Sequence, residues 1–352
     1  MSNAVERLCG REPESGLRPL RPFAPEALDF LSALSAALLK DREAKAYPDV
    51  ITFAYFCRKA HLARLQEEYA GRLDGRLGRG VVFHIAPSNV PSNFAYSLTA
   101  ALLSGNGSIV KASSRDFPQT RIVCRAMEKL LTEDFAPLAP YVCVVTYPRE
   151  AQEVTEAFSA RCHARVIWGG DETVRRVREA ALPPRTVEVA FADRYSLLCI
   201  RPEAVAALSE EALERLAKDF YNDTYLTDQN ACTSPRLIYW VGEGDSLEAS
   251  ERFFRAMGAY ARQRYELPAV TAVDKLTAAC RAAMKLEGAE IVPDPDNWVT
   301  RVRVKALCPE LYELRSPGGF FLEYAAPTLD ALRDLPESYT FYQLRSMGET
   351  ER

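Results

Sequence analysis

Between Gly78 and about residue 200 the chain alternates short apolar runs with amphipathic stretches, and this alternation limits the fold more than any other feature of the sequence. Strands are predicted over 80–85, 108–111, 141–146 and 164–168. Helices are predicted over 93–103, over a segment opened by Asp116, over 150–158, and from an Asp171 cap to about 181. In the second of these, Val123, Met127, Leu130 and Leu131 recur at helical spacing and form one buried face. Parallel strands need crossover connections, so repeated strand–helix–strand units build a parallel sheet covered by helices. Ligands bind such sheets at the carboxyl ends of the strands. Residues 78–200 are therefore expected to be a doubly wound nucleotide-binding domain of an α/β protein.

The flanking regions read differently. Residues 1–77 are expected to be helical, with segments over 27–40 and 52–73 that pack on the nucleotide-binding domain. Beyond residue 200 come a helix over 204–220, a polar turn over 221–230 and a strand over 236–240. Helices over 246–263 and 273–286 follow, then strands near 290–292 and 298–304 and a mixed stretch around 320–324. Residues 201–330 are thus expected to form a second α/β domain, with 331–352 as a C-terminal segment.

Several function classes are disfavoured. With 44 Lys and Arg against 48 Asp and Glu, the net charge of −4 lacks the basic excess of nucleic-acid binders. No apolar run approaches the roughly 18 residues needed to span a bilayer. The N-terminus lacks a signal-peptide core, so a cytoplasmic protein is expected. Nine cysteines form no C-x-x-C pair, and three widely spaced histidines give no metal-ligand spacing. No metal site is expected, and most thiols are read as small buried hydrophobes.

Four segments can carry chemistry. In Ala86-Pro87-Ser88-Asn89-Val90-Pro91 the prolines fix the backbone around Asn89. Its amide either faces a developing oxyanion or closes the strand as an Asx turn. Lys111 ends a strand and precedes Ser113, Ser114 and Arg115. This group suits ribose hydroxyls and a 2′-phosphate, or is a solvated strand end. At Trp168-Gly169-Gly170-Asp171 the glycines either offer backbone N–H groups to a phosphate or simply make the turn. Cys232 lies in a polar loop, Asp228-Gln229-Asn230-Ala231-Cys232, whereas Cys124, Cys143 and Cys199 sit in apolar runs. It is either an exposed nucleophile or an unreactive loop thiol. No G-x-G-x-x-G follows the first strand, which disfavours an ordinary Rossmann dehydrogenase.

In order and spacing, these segments resemble the aldehyde dehydrogenase superfamily, most closely its LuxC-type acyl-CoA reductase branch, the fatty acyl reductases that supply aldehyde to bacterial luciferase. The resemblance implies a Rossmann-like cofactor domain plus an α/β catalytic domain. It implies that Cys232 is acylated, that Asn89 and the Cys232 backbone N–H form the oxyanion hole, and that Lys111 binds the cofactor ribose. Oxidising members carry a glutamate base in an E-L-G-G-K-S segment. The matching stretch here runs Glu188-Val189-Ala190-Phe191-Ala192-Asp193-Arg194-Tyr195-Ser196 and puts Phe191 at the base position, with Glu188 three residues away. Without a base to activate water, a thioester intermediate persists for reduction. Ser113, Ser114 and Arg115 stand where NAD-preferring relatives often carry a glutamate, so NADPH is the expected cofactor.

The expected function is NADPH-dependent reduction of an acyl-CoA or carrier-bound acyl group to the aldehyde. Tyr225, Asp228 and His84 are candidate proton donors to the leaving group. The rivals are an oxidative aldehyde dehydrogenase using Glu188 and a non-catalytic binder of nucleotide or partner. The resemblance also implies an acyl-protein synthetase partner and a homo-oligomer. Relatives usually continue beyond the segment matching 343–348, so 331–352 is expected to be short for the family.

Overall fold

The computed structural model describes residues 5–14, 16–192, 194–293, 296–334 and 346–347, and the chain divides between residues 193 and 194 into two compact units. The first unit is built on a six-stranded sheet. Its strands are β1 (Glu6–Gly10), β2 (Val81–Ile85), β3 (Gly107–Lys111), β4 (Val142–Thr146), β5 (Ala164–Trp168) and β6 (Val187–Phe191), in the order β1-β4-β3-β2-β5-β6. Strands β2 to β6 pair in parallel, and β1 runs antiparallel against β4. Succession from β2 runs outward through β3 and β4, then resumes on the other side with β5 and β6. The switch point therefore lies between β2 and β5, the place where such sheets open a ligand crevice.

Helices cover both faces. Helices α1 (Pro25–Lys40), α2 (Pro48–Phe56), α3 (Lys59–Glu68), α4 (Asn93–Leu103) and α5 (Pro118–Thr132) bury residues such as Phe30, Leu34, Phe53, Leu98 and Met127 in one core. Helices α6 (Gln152–Ser159) and α7 (Asp171–Arg178) pack Phe158, Val174 and Val177 against Phe83, Ile109 and Ile167 in the other. Burial on both faces is why the inner strands read as continuous apolar runs.

The departures from expectation are local. The first 77 residues contain the predicted helices, but the chain opens with β1, and Cys57 and Arg58 interrupt the second helix between α2 and α3. Strand β6 escaped the apolar-run criterion because it is an edge strand with Val187 and Val189 exposed. Neither predicted aspartate cap forms. Phe117 precedes α5, with Asp116 paired instead to Arg121, and Gly170 occupies the N-cap of α7 with no side-chain cap bond.

The second unit repeats the plan. Strands β7 (Ser196–Ile200), β8 (Pro235–Val241), β9 (Glu290–Val292), β10 (Thr300–Arg303), β11 (Phe320–Ala326) and β12 (Ser346–Met347) lie in the order β12-β7-β8-β11-β10-β9. All neighbours are parallel except β9, antiparallel on β10. Strand alternation sends Leu198, Ile200, Ile238 and Trp240 toward α8 (Pro202–Ala206), α9 (Glu210–Thr224) and α10 (Ser246–Arg262). Leu197, Cys199, Leu237 and Tyr239 face the other way, toward α11 (Ala269–Lys285). The single helix predicted over 204–220 is two helices, broken around Leu208. Apart from β12, the segment after residue 334 lies outside the described residues.

Candidate functional site

Every cofactor-binding candidate in the first unit lies at the carboxyl edge of its parallel sheet. Ile85, the last residue of β2, is in register with Lys111 of β3 and with Ile167 of β5. Parallel pairing therefore brings the Asn89 loop, Lys111 with the segment 113–115, and the Gly169-Gly170 turn to one edge. Asn89 is exposed in the β2–α4 loop, whose start is fixed by the Ala86 N–H donating to the Lys111 carbonyl at 3.0 Å.

Lys111 is half buried, with Nζ 4.9 Å from the Tyr147 ring centroid. Burial lowers its pKa most, Glu150 opposes that shift, and the positive charges of Arg149 and Arg176 add to it. Arg149 follows β4, and Arg176 comes from α7 and donates to the Arg149 carbonyl at 2.6 Å. A basic cluster thus forms around Lys111 from three separate segments; the sequence reading found only one of them. Next to it, Ser114 and Arg115 are exposed, and the Arg115 N–H donates to the Ser113 hydroxyl at 3.1 Å.

The two glycines differ. A Cβ on Gly169 would stand 2.9 Å from Thr173, so packing explains that glycine. A Cβ on Gly170 would meet nothing within 4 Å, which leaves room for a ligand to approach the backbone. Asp171 and Glu172 place negative charge in the same helical turn and weaken its attraction for anions.

Beside Gly169, Trp168 stacks on Phe191 with ring centroids 3.8 Å apart and an interplanar angle of 10°. Phe191, the residue at the expected base position, thus ends β6 as part of an aromatic pair at the carboxyl edge. Glu188 is held elsewhere. Arg165 Nε donates to it at 2.8 Å and Arg178 Nε at 2.7 Å, with Arg165 itself only 2% exposed. Burial raises the Glu188 pKa, but the bonds from Arg178 and Arg165 outweigh it and leave the carboxyl below its ordinary value.

In the second unit the candidate nucleophile lies at the opposite kind of edge, ahead of β8 and so at the amino ends of the strands. Cys232 is exposed, whereas Cys9, Cys57, Cys124, Cys143, Cys162 and Cys199 are buried. Burial pushes Cys143 up to about 12 and Cys162 and Cys199 to about 11, so these three remain protonated thiols. Packing does not account for all eight other cysteines, because Cys280 is exposed and Cys308 half buried.

The Cys232 loop is braced from three sides. Asp228 and Gln229 both adopt left-handed backbone angles, φ 51° and 59°, and reverse the chain after α9. The buried Gln229 carboxamide makes four hydrogen bonds. Its Nε2 donates to the Pro235 and Phe320 carbonyls at 2.9 Å each, and its Oε1 accepts from the Gly319 and Phe320 N–H groups at 3.0 Å each. Ser196 Oγ, at the start of β7, donates to the Cys232 carbonyl at 2.7 Å. Gly319 has φ 93°, and a side chain there would collide with Tyr225 and the Trp298 carbonyl. The buried Lys275 donates to the Gly318 carbonyl at 2.9 Å and to that of Asn297, which holds the glycine turn from below.

Two of the suggested proton donors are engaged in the fold. His84 is 1% exposed, lies 2.8 Å from the Ser97 hydroxyl and 3.3 Å from that of Ser108, and is pushed by burial to about 3, so it is neutral. Tyr225 is buried and donates to the Trp298 carbonyl at 2.7 Å. Asp228 is exposed and accepts from the Tyr265 hydroxyl at 2.8 Å. Ser196, Gln229, Lys275, Arg149 and Arg176 were missed by the sequence reading. Among the described residues no cluster of potential metal ligands occurs, and no helix is long and apolar enough to cross a membrane.

Comparison with known proteins agrees with this fold. Among solved structures, PnpE from Pseudomonas sp. WBC-3 in complex with nicotinamide adenine dinucleotide superposes with a TM-score of 0.60 at 16% identity, over 87% of this chain and 69% of that one. Lactaldehyde dehydrogenase from Escherichia coli superposes with a TM-score of 0.57 at 15% identity, over 89% and 71%. At such identities these matches establish an aldehyde dehydrogenase-like fold. Among curated proteins, the long-chain acyl-protein thioester reductase of Aliivibrio fischeri is 27% identical over 176 residues, 49% of this chain and 34% of that protein. That of Photorhabdus laumondii is 27% identical over 165 residues, 47% and 32%. The matched region thus spans about a third of these relatives. The model of the acyl-CoA reductase (LuxC) family matches residues 45–289, more than half of the chain, and the chain belongs to that family.

Proposed function

We propose that this chain reduces an acyl thioester to the aldehyde, with Cys232 as the acyl acceptor and NADPH as the cofactor. The observation that carries this reading is the state of Glu188. This carboxylate, three residues from the base position, is held by Arg165 and Arg178, and an aromatic pair stands at the strand end. A general base must reach the water it activates. With Glu188 engaged in this way, hydrolysis of an acyl-cysteine, and with it oxidation of aldehyde to acid, is disfavoured.

In this reading the Cys232 thiolate attacks the thioester carbonyl. The new carbon–sulfur bond replaces the old one, and the departing thiol takes up a proton. Asn89 and the Cys232 N–H serve as donors to the oxyanion of the tetrahedral intermediate. The braced loop limits the conformations available to Cys232, so less ordering is needed at the moment of attack. A bound nicotinamide would supply hydride to the acyl carbon, and the carbon–sulfur bond to Cys232 would then break, releasing aldehyde and restoring the Cys232 thiolate.

The first unit fits such a cofactor. In this reading Lys111 binds the ribose, Gly170 allows close backbone approach, and Ser113, Ser114 and Arg115 take a 2′-phosphate, as the family resemblance implies, whereas Gly169 is accounted for by packing against Thr173. Arg149 and Arg176 add positive charge around Lys111, which supports NADPH over NADH. The relatives' names point to a protein-borne acyl group as the substrate; an acyl-protein synthetase as its source, and acyl-CoA as the simpler donor, are what the family resemblance implies.

The test is to incubate the protein with acyl-CoA and NADPH, follow cofactor absorbance and assay for aldehyde. NADPH loss with stoichiometric aldehyde supports the reading. Acid formed from aldehyde and oxidised cofactor would favour the oxidative enzyme, and no turnover with any chain length would favour a non-catalytic binder.

A further inference from the structure

Two oppositely charged side chains of α11, Asp274 and Arg281, line one cavity of about 300 Å³ between the helix and residues 313–317 of the same unit. That segment runs antiparallel to the helix. Lys275 donates to the Gly318 carbonyl at 2.9 Å, and ten residues later Lys285 donates to the Glu313 carboxylate at 2.8 Å. Asp274 therefore stands toward Ser316 and Arg281 toward Glu313. The seven residues between them span about 10.5 Å along the helix axis at 1.5 Å per residue. The cavity thus has an acidic end and a basic end.

Most polar groups around it have partners within the chain. Glu313 is neutralised by Lys285, the Thr277 hydroxyl donates to the Val273 carbonyl at 2.9 Å, and the Arg315 guanidinium lies 4.2 Å from the Tyr312 ring centroid. Three groups differ. Among the described residues, the exposed Asp274 and Arg281 form no ion pair. The hydroxyl of Ser316, a residue only 4% exposed, is buried without a hydrogen-bond partner. A buried hydroxyl left unpaired is costly and rare in native proteins.

We infer that this cavity binds a small zwitterion, its carboxylate at Arg281 and Arg315 and its ammonium at Asp274 and the Ser316 hydroxyl. Such a molecule meets both ends at once, whereas a simple anion or cation leaves one of the two charges uncompensated. The volume is at the low end for ligand pockets and suits a molecule the size of an amino acid. Ser316 lies two residues before Gly318, whose N–H donates to the Asp228 carbonyl at 3.1 Å. An occupant therefore also braces the turn that supports the Cys232 loop.

Isothermal titration calorimetry on the full chain with glycine, γ-aminobutyrate and ε-aminocaproate tests this, with caproate and hexylamine as single-charge controls. The inference expects one-to-one binding of at least one zwitterion and slower hydrogen exchange in peptides covering 271–281 and 313–318. Arg281→Gln and Asp274→Asn, both at exposed positions, should each weaken binding about tenfold or more, the loss of one charge-assisted hydrogen bond. Ser316→Ala should weaken it too while leaving the free protein no less stable, because the hydroxyl it removes has no partner. Absence of binding by all three zwitterions overturns the inference. So does equal binding of caproate or hexylamine, since one charge then suffices. Binding unchanged in both charge variants also overturns it, because the ligand then sits elsewhere. None of these outcomes depends on the catalytic assignment.

Discussion

The Ser196 hydroxyl donates a 2.7 Å hydrogen bond to the carbonyl oxygen of Cys232. Ser196 belongs to a strand and Cys232 to a loop, so this bond fixes an otherwise exposed residue to the sheet. Ser196→Ala is expected to lower kcat several-fold while costing only about 1 kcal/mol of stability, the net worth of a typical hydrogen bond. Steady-state kinetics and urea unfolding on the same variant check the two halves. A large loss of stability without a change in kcat would show that the bond serves the fold alone.

Gln229 is a different case, because its carboxamide satisfies four backbone groups at the starts of β8 and β11. Replacing it with leucine leaves buried donors and acceptors unpaired, at about 1–3 kcal/mol for each group left unsatisfied. Gln229→Leu is therefore expected to destabilise the protein by at least about 4 kcal/mol, read as a lower urea midpoint.

Glu188 gives a prediction in pH. Its folded-state pKa lies below the unfolded value, so the stabilisation from its pairing is present above the unfolded pKa and is lost as pH falls through the folded one. Wild type should therefore lose stability in the acid range below its ordinary carboxylate pKa, and Glu188→Gln should lose less over that interval. At neutral pH the variant leaves the buried Arg165 without its anion, at a cost of about 3 kcal/mol. On the proposed reading, in which this carboxylate is not the catalytic base, folded Glu188→Gln protein should still reduce thioesters. Thermal unfolding across pH, with reductase assays on the same preparations, tests both statements.

The basic cluster around Lys111 predicts cofactor preference. Arg176→Ala and Arg149→Ala should each raise KM for NADPH by about tenfold, the equivalent of one lost charge-assisted contact of roughly 1.4 kcal/mol. KM for NADH should change little. Equal effects on the two cofactors would place these arginines away from a 2′-phosphate.

Legibility in the sequence followed burial. The inner strands β2, β3, β4 and β5 were readable as apolar runs because helices cover both of their faces. The edge strands β1 and β6 were not, since a strand exposed on one side carries no such run. Asn89, Lys111 and Gly170 could be located because strand ends are local features. Arg149 and Arg176 could not, because only the tertiary fold brings the β4–α6 loop and α7 to Lys111. The role of Gln229 was hidden for the same reason, since its partners Gly319 and Phe320 lie at the start of a strand far along the chain.

The central claim is that Cys232 is the residue that becomes acylated. Intact-mass spectrometry of the protein mixed with acyl-CoA in the absence of reduced cofactor measures this directly, followed by peptide mapping. The account predicts a single added acyl group on the Cys232 peptide, absent from Cys232→Ala and discharged on addition of NADPH. An acyl group that persists in Cys232→Ala, for example on the exposed Cys280, or no acylation of the wild-type chain, would contradict it.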